Sequence, residues 1–270
     1  MERIGISTAS LYPQLIEATL RRFGEQGVGW AEAFINTFSE LKPDFVRELR
    51  RIADDGGVRL VSLHPFSCAF EPFLLFTGYP RRFEDALEFH KPYFEAANRL
   101  GAEIFVFHGD KYRGPGQSLT SDEEYYERYA RLRALGKRFG VNVAQENVER
   151  CRSRDLGFLR EMARYLGGDV SFVFDNKQAC RSGVDWREFL ETLGPWIVHC
   201  HLSDNGPAGA CLPVGAGTLD FGALFAALGA QGFTGAALVE LYGEQLAEAD
   251  CVYESWRALL KIASHHSETT

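Results

Sequence analysis

Eight short apolar runs, separated by longer amphipathic stretches, place the strongest constraint on how this chain can fold. Strands are read at residues 3–7, 28–34, 59–64, 103–108, 141–146, 170–175, 196–201 and 236–241. Helical patterns fill the gaps at 13–25, 43–54, 83–100, 121–139, 155–166, 184–193, 221–228 and 244–262. Pro13 opens the first of these at a position where proline suits an early helical turn. Ser121 followed by Glu124 resembles a capping box for the fourth. This alternation predicts an α/β protein, a (β/α)8 TIM barrel formed as one domain over residues 1–270. The competing architecture, a doubly wound open sheet, usually carries a glycine-rich first turn. Gly5-Ile6-Ser7-Thr8 offers none.

Four polar residues stand at or near the ends of apolar runs five to eight: Glu146 after VNVAQ, Asp175 after VSFVF, His201 after WIVHC and Glu240 after GAALV. Side chains alternate along a strand, so Val173 shares a face with Asp175, His199 with His201, and Leu238 with Glu240. In a barrel those faces converge at one mouth. Three carboxylates brought together repel unless a cation joins them. One imidazole and three carboxylates suit Mn²⁺ first, with Mg²⁺, Co²⁺ or Zn²⁺ as alternatives. Ordinary solvated strand ends would explain any one of the four, but explain four in succession poorly.

His64 and His108 occupy the equivalent ends of strands three and four and are read as substrate contacts rather than ligands. His199 lies deeper and is expected in the core or behind the site. Glu32, polar inside an apolar strand, either faces the mouth or serves a salt-bridged structural role. The loops at 67–80, 110–120 and 203–218 are longer than a barrel requires and lie on the face where barrel active sites form. They offer Lys111 and Arg113 as contacts for a phosphate or carboxylate, though a solvated loop charge is the plainer reading of each. Phe66, Phe70, Phe73 and Phe76 form either an apolar wall or packing for their own loop. Asp204 and Asn205 are expected to orient His201. The turn at 215–217 permits close backbone approach.

Composition narrows the function classes. The 270 residues are 46% hydrophobic and 24% charged, ordinary for a globular protein. A net charge of −8 disfavours a nucleic-acid partner. Six irregularly spaced cysteines, with no CxxC pair, read as reduced thiols in a cytoplasmic protein. No signal-peptide pattern or run of membrane-spanning length is seen. The reading leaves a homo-oligomer open.

AQEN around Glu146, FDNKQA around Asp175, HCHLSDN around His201, PVGAGTLDF at 213–221 and ALVEL around Glu240 resemble, in this order, the xylose-isomerase-like TIM barrels. The resemblance covers essentially the whole chain. In the isomerase and epimerase branch it implies that Glu146, Asp175, His201 and Glu240 bind one divalent cation. The two glutamates would also be acid/base groups, with His64, His108 and Gln178 near the substrate. The apurinic-site endonuclease branch has a second His three positions after the strand-six Asp, where this chain has Gln178. It also has an Asp-x-His where Gly209 and Cys211 stand, so the resemblance to that branch fails at its third metal. The resulting expectation is a metal-dependent isomerase or epimerase of a small carbohydrate or hydroxy-keto acid, working through an enediolate. A dehydratase of a cyclic keto-polyol is the alternative, and an endonuclease-like phosphodiesterase ranks below both.

Overall fold

The computed structural model describes residues 2–242 and 250–267. Its strands are β1 (Ile4–Ser7), β2 (Trp30–Ile35), β3 (Arg59–Pro65), β4 (Ile104–Phe107), β5 (Asn142–Glu146), β6 (Phe172–Asp175), β7 (Ile197–Leu202), β8 (Asp204–Gly206), β9 (Gly209–Leu212) and β10 (Ala236–Val239). Eight of them close into a parallel barrel in the order β1-β10-β7-β6-β5-β4-β3-β2. The remaining two, β8 and β9, pair antiparallel as a hairpin within the loop after β7. The expected (β/α)8 barrel is therefore the fold, and the hairpin is an addition the strand count did not foresee.

The helices are α1 (Ile16–Gln26), α2 (Pro43–Asp55), α3 (Glu71–Leu74), α4 (Pro80–Leu100), α5 (Asp122–Arg138), α6 (Leu156–Tyr165), α7 (Asn176–Ser182), α8 (Trp186–Leu193), α9 (Phe221–Ala230) and α10 (Asp250–Ser267). Each longer helix buries one stripe. In α1 the stripe is Ile16, Leu20 and Phe23, and Gly27 at φ 77° ends the helix in the left-handed region. In α5 the Ser121 hydroxyl accepts from Glu124 N at 3.1 Å, and three acids open the helix while Lys137 and Arg138 close it.

Two helix starts lie three residues from expectation, one of them α4, which opens at Pro80 rather than Phe83. The first helix begins at Ile16, not Pro13, because Thr8–Leu11 forms a 3-10 turn capped by Ser7 and the chain bends through Pro13 before α1. Of the last predicted helix, residues 244–249 lie outside the described residues, and α10 runs from Asp250. No helix among the described residues is long and apolar enough to cross a membrane.

The barrel interior is layered. Val106, Ala144 and Val173 pack together against Ile104 and Val198. Towards the C-terminal ends of the strands this apolar layer gives way to polar side chains, most of them fully buried. Such a layer is tolerable only where partners compensate the lost hydration.

Candidate active site

Glu146 ends β5, Asp175 ends β6, His201 lies one residue from the end of β7, and Glu240 directly follows β10. All four are buried. One ligating atom from each lies within 4.8 Å of the others. His201 Nδ1 is central: it is 3.2 Å from Glu146 Oε1 and 3.6 Å from Glu240 Oε2. The four residues expected from the sequence to meet do meet.

Amide side chains hold these strand ends where the regular ladder runs out. Asn147 donates to Asp175 O at 2.9 Å and accepts from Asp175 N at 2.8 Å. Asn176 does the same for Ser203, at 2.7 and 2.9 Å. Gln145 donates to Phe107 O and His108 O, fixing the end of β4. The runs Gln145-Glu146-Asn147 and Asp175-Asn176 thus combine a site carboxylate with amide clamps on the neighbouring chain segments.

Behind His201 lies a buried carboxylate. Glu32 Oε2 is 3.1 Å from His201 Nε2, and its two oxygens accept from Ser7 Oγ at 2.9 Å and Ser62 Oγ at 2.7 Å. His199 Nε2 sits 3.3 Å from Ser62 Oγ and 3.5 Å from Glu32, which places it behind the site as expected. Burial alone would raise the pKa of Glu32, but His201 and His199 outweigh it and hold the carboxyl well below the usual range. Burial likewise opposes the His201 charge, yet Glu240 and Glu32 raise its pKa well above the ordinary imidazole value.

On the other side of Glu146, His108 Nε2 approaches Oε2 to 2.7 Å and His64 Nε2 to 3.9 Å. The two imidazoles are 3.0 Å apart, and His64 stacks on Phe34. The close His108–Glu146 approach is an ion-pair contact without hydrogen-bond alignment, and Glu146 Oε2 has no hydrogen-bond donor among the described residues. Burial would raise the pKa of Glu146, but His108 and His201 hold it well below the carboxylate range. His108 is positioned from its backbone. Its N–H and that of Gly109 donate to Glu71 Oε2, at 3.0 and 2.6 Å. Glu71 belongs to α3, inside the long loop at 67–80, and burial pushes its carboxyl up to about 8.

Lys177, in the first turn of α7, is almost fully buried. Its ammonium contacts Asp175 Oδ2 and lies 2.7 Å from Glu240 Oε2, with the Tyr242 ring 4.7 Å away. Burial disfavours that charge, but Asp175 and Glu240 more than compensate and raise its pKa well above the usual lysine value. The sequence reading quoted this lysine within FDNKQA and gave it no role. A lysine two residues beyond a strand-ending aspartate was the available signal.

The remaining expected contacts have other partners. Gln178 accepts from Glu149 N at 3.1 Å and donates to Tyr242 Oη at 3.2 Å, at the edge of the cluster. Arg113 donates to Asp110 at 2.8 Å and to Lys111 O at 3.1 Å, while Lys111 is exposed on the same loop. Phe76 is buried and stacks on Tyr125, whereas Phe70 and Phe73 are exposed. Asp204 does not orient His201. Its carboxylate accepts from the backbone N–H groups of Asn205, Gly215, Gly217 and Leu219 and so folds the loop after β7. The close approach allowed by the glycine turn is to this carboxylate: a Cβ on Gly217 would stand 2.3 Å from Asp204 Oδ1.

Comparison with known proteins agrees with this fold. The profile of the family described as the xylose isomerase-like TIM barrel matches residues 18–262. The chain belongs to that family. An uncharacterized protein of Mycobacterium tuberculosis, Rv0498, is 24% identical over 264 residues, covering 88% of each chain. A D-tagatose 3-epimerase-like protein superposes with a TM-score of 0.81 at 19% identity over 99% of both chains. The probable 3-DHS dehydratase AsbF of Bacillus anthracis superposes with 0.76 at 15% identity, over 96% of this chain and 99% of that one. At such identities the solved structures speak for a shared fold.

Within this xylose isomerase-like barrel, the donor set fits a divalent cation. It offers three carboxylates and one imidazole at close range, a mixture suited to a hard or borderline ion. The fully buried Glu146 Oε2, which lacks an aligned donor, supplies a lone pair that a cation would satisfy. Glu32 has the geometry of the outer carboxylate that commonly orients a ligating histidine.

Proposed function

We propose that this protein is a divalent-metal-dependent isomerase or epimerase of a small carbohydrate or hydroxy-keto acid. The observation that carries the reading is the convergence of Glu146, Asp175, His201 and Glu240 at the barrel mouth. These four would hold one ion, with Mn²⁺ the first choice and Mg²⁺, Co²⁺ or Zn²⁺ alternatives. When bound, such an ion polarises a carbonyl and stabilises the negative charge of an enediolate.

The chain supplies the proton transfers. Glu146 Oε1 and Glu240 Oε2 lie 3.2 and 3.6 Å from His201 Nδ1, and in this reading the two carboxylates would stand on opposite sides of a chelated substrate. One removes a proton from the carbon next to the carbonyl, and the other returns a proton. Return to the opposite face of the same carbon gives an epimer; return to the neighbouring carbon gives an aldose–ketose isomerisation. The carboxylates exchange protonation states over a turnover. A carboxylate kept strongly acidic is a weak base, so positioning must carry much of the rate. His64 and His108, beside Glu146, would bind substrate hydroxyls in this reading, and Gln178 lies at the rim. Arg113 would reach a substrate phosphate or carboxylate only by leaving Asp110.

A dehydratase would use the same residues but expel a β-hydroxyl in place of returning the proton. It is kept as a second reading because Lys177 and His108 give this site cationic groups able to assist a departing hydroxyl. Incubation with Mn²⁺ in deuterated solvent, across ketoses, ketose phosphates, hydroxypyruvate and cyclic keto-polyols, separates the two. Deuterium in recovered substrate or its isomer supports the first, and an enone chromophore from a keto-polyol supports the second. Glu146→Gln is expected to abolish either activity; full turnover by that variant would refute the proposal.

A further inference from the structure

Lys177 is the unexpected member of the cluster. Asp175 Oδ1 already caps α7 by accepting from Gln178 N at 3.0 Å, and Asp175 Oδ2 takes the Lys177 ammonium. The same ammonium takes Glu240 Oε2. Two of the four proposed ligands are therefore joined by a charge belonging to the chain. The lysine is held by short-range constraints: it lies in the first turn of a helix whose cap is Asp175, with its head over the Tyr242 ring. Buried carboxylates this close repel strongly, and one ammonium relieves part of that repulsion. A divalent ion relieves it too, but in the same few ångströms the two cations oppose each other.

We infer that Lys177 is an internal competitor for the metal site: its ammonium bridges Asp175 and Glu240 and must release at least one of them when a divalent ion is held by the cluster. This inference rests on the proposed metal reading and adds that the chain tunes its own affinity for the ion. The bridged carboxylates need no ion to stay together, so the site remains assembled while its affinity is lowered. The predicted consequence is a more readily exchanged ion than the four ligands alone would give.

Calorimetric titration of the full chain with MnCl₂ tests this, comparing wild type with Lys177→Met. Methionine keeps much of the length and removes the charge. The inference predicts one Mn²⁺ site in both, bound roughly ten- to a hundredfold more tightly by the variant. Equal or weaker binding by the folded variant overturns the inference and leaves the metal reading intact. If neither protein binds Mn²⁺, the metal reading fails and the inference with it. If Lys177→Met does not fold, a crystal structure of the wild type loaded with Mn²⁺ decides. Movement of the ammonium away from Asp175 Oδ2 or Glu240 Oε2 supports the inference, and retention of both contacts overturns it.

Discussion

Glu32 Oε2 stands 3.1 Å from His201 Nε2, so the far side of the imidazole is tied to a buried carboxylate and Nδ1 is the nitrogen turned towards Glu146 and Glu240. A residue from the second strand thus sets how a residue from the seventh can bind a cation. Replacing Glu32 by Gln keeps the volume and removes the charge. Loss of such outer partners commonly costs about 10–100-fold in metal affinity. Glu32→Gln is expected to weaken Mn²⁺ binding within that range, read by calorimetry, with the circular dichroism spectrum preserved. Unchanged affinity would show that the Glu32 contact does not tune His201.

Glu71 makes stability fall as pH rises from the acid range through neutrality. Burial is the largest influence on its carboxyl, and His108 with two backbone N–H groups only partly offsets it, leaving a pKa of about 8. The folded protein then holds this proton more tightly than the unfolded chain does. Stability is fully present below the unfolded value near 4.5 and declines as pH rises towards 8. The loss is on the order of 4 kcal/mol. Glu71→Gln is expected to flatten this decline in urea unfolding series between pH 5 and pH 8 (roughly the window where the two states differ). A parallel decline in wild type and variant would contradict the assignment.

His90 predicts the opposite dependence. It is enclosed by Phe89, Phe94 and Phe105, and its Nδ1 lies 2.7 Å from Ala86 O. Burial drives its pKa down to about 4. The unfolded chain takes up a proton first as pH falls below 6.5, so stability is lost between that value and about 4. The contribution is roughly 3 kcal/mol. His90→Phe, which suits the aromatic surroundings, is expected to reduce the acid loss. An unaltered acid limb in thermal unfolding curves would show that other groups carry it.

The barrel and the four converging residues were legible because both follow from period and position. An apolar run ending in a single polar residue states which end of a strand it marks, and barrel closure brings those ends together. Groups that reach the site from outside a strand left no such trace. Lys177 follows a strand-ending aspartate by two residues, which sets its backbone near the site but not the direction of its head, and Glu71 comes from a short helix in a loop that periodicity does not mark. Asp204 was misread for a related reason. Its place after the His201 strand suggested support for His201, but four backbone N–H groups in the following loop claim its carboxylate. Pro13 suited an early helical position in sequence, yet the capped turn at Thr8–Leu11 delays the helix to Ile16.

The most direct test of the central claim is anomalous diffraction from crystals soaked in MnCl₂. The account predicts one strong peak at the barrel mouth, about 2.0–2.3 Å from His201 Nδ1 and from one oxygen each of Glu146, Asp175 and Glu240. A peak seated on His64 and His108 without Asp175 and Glu240, or no peak at the mouth at all, would contradict it.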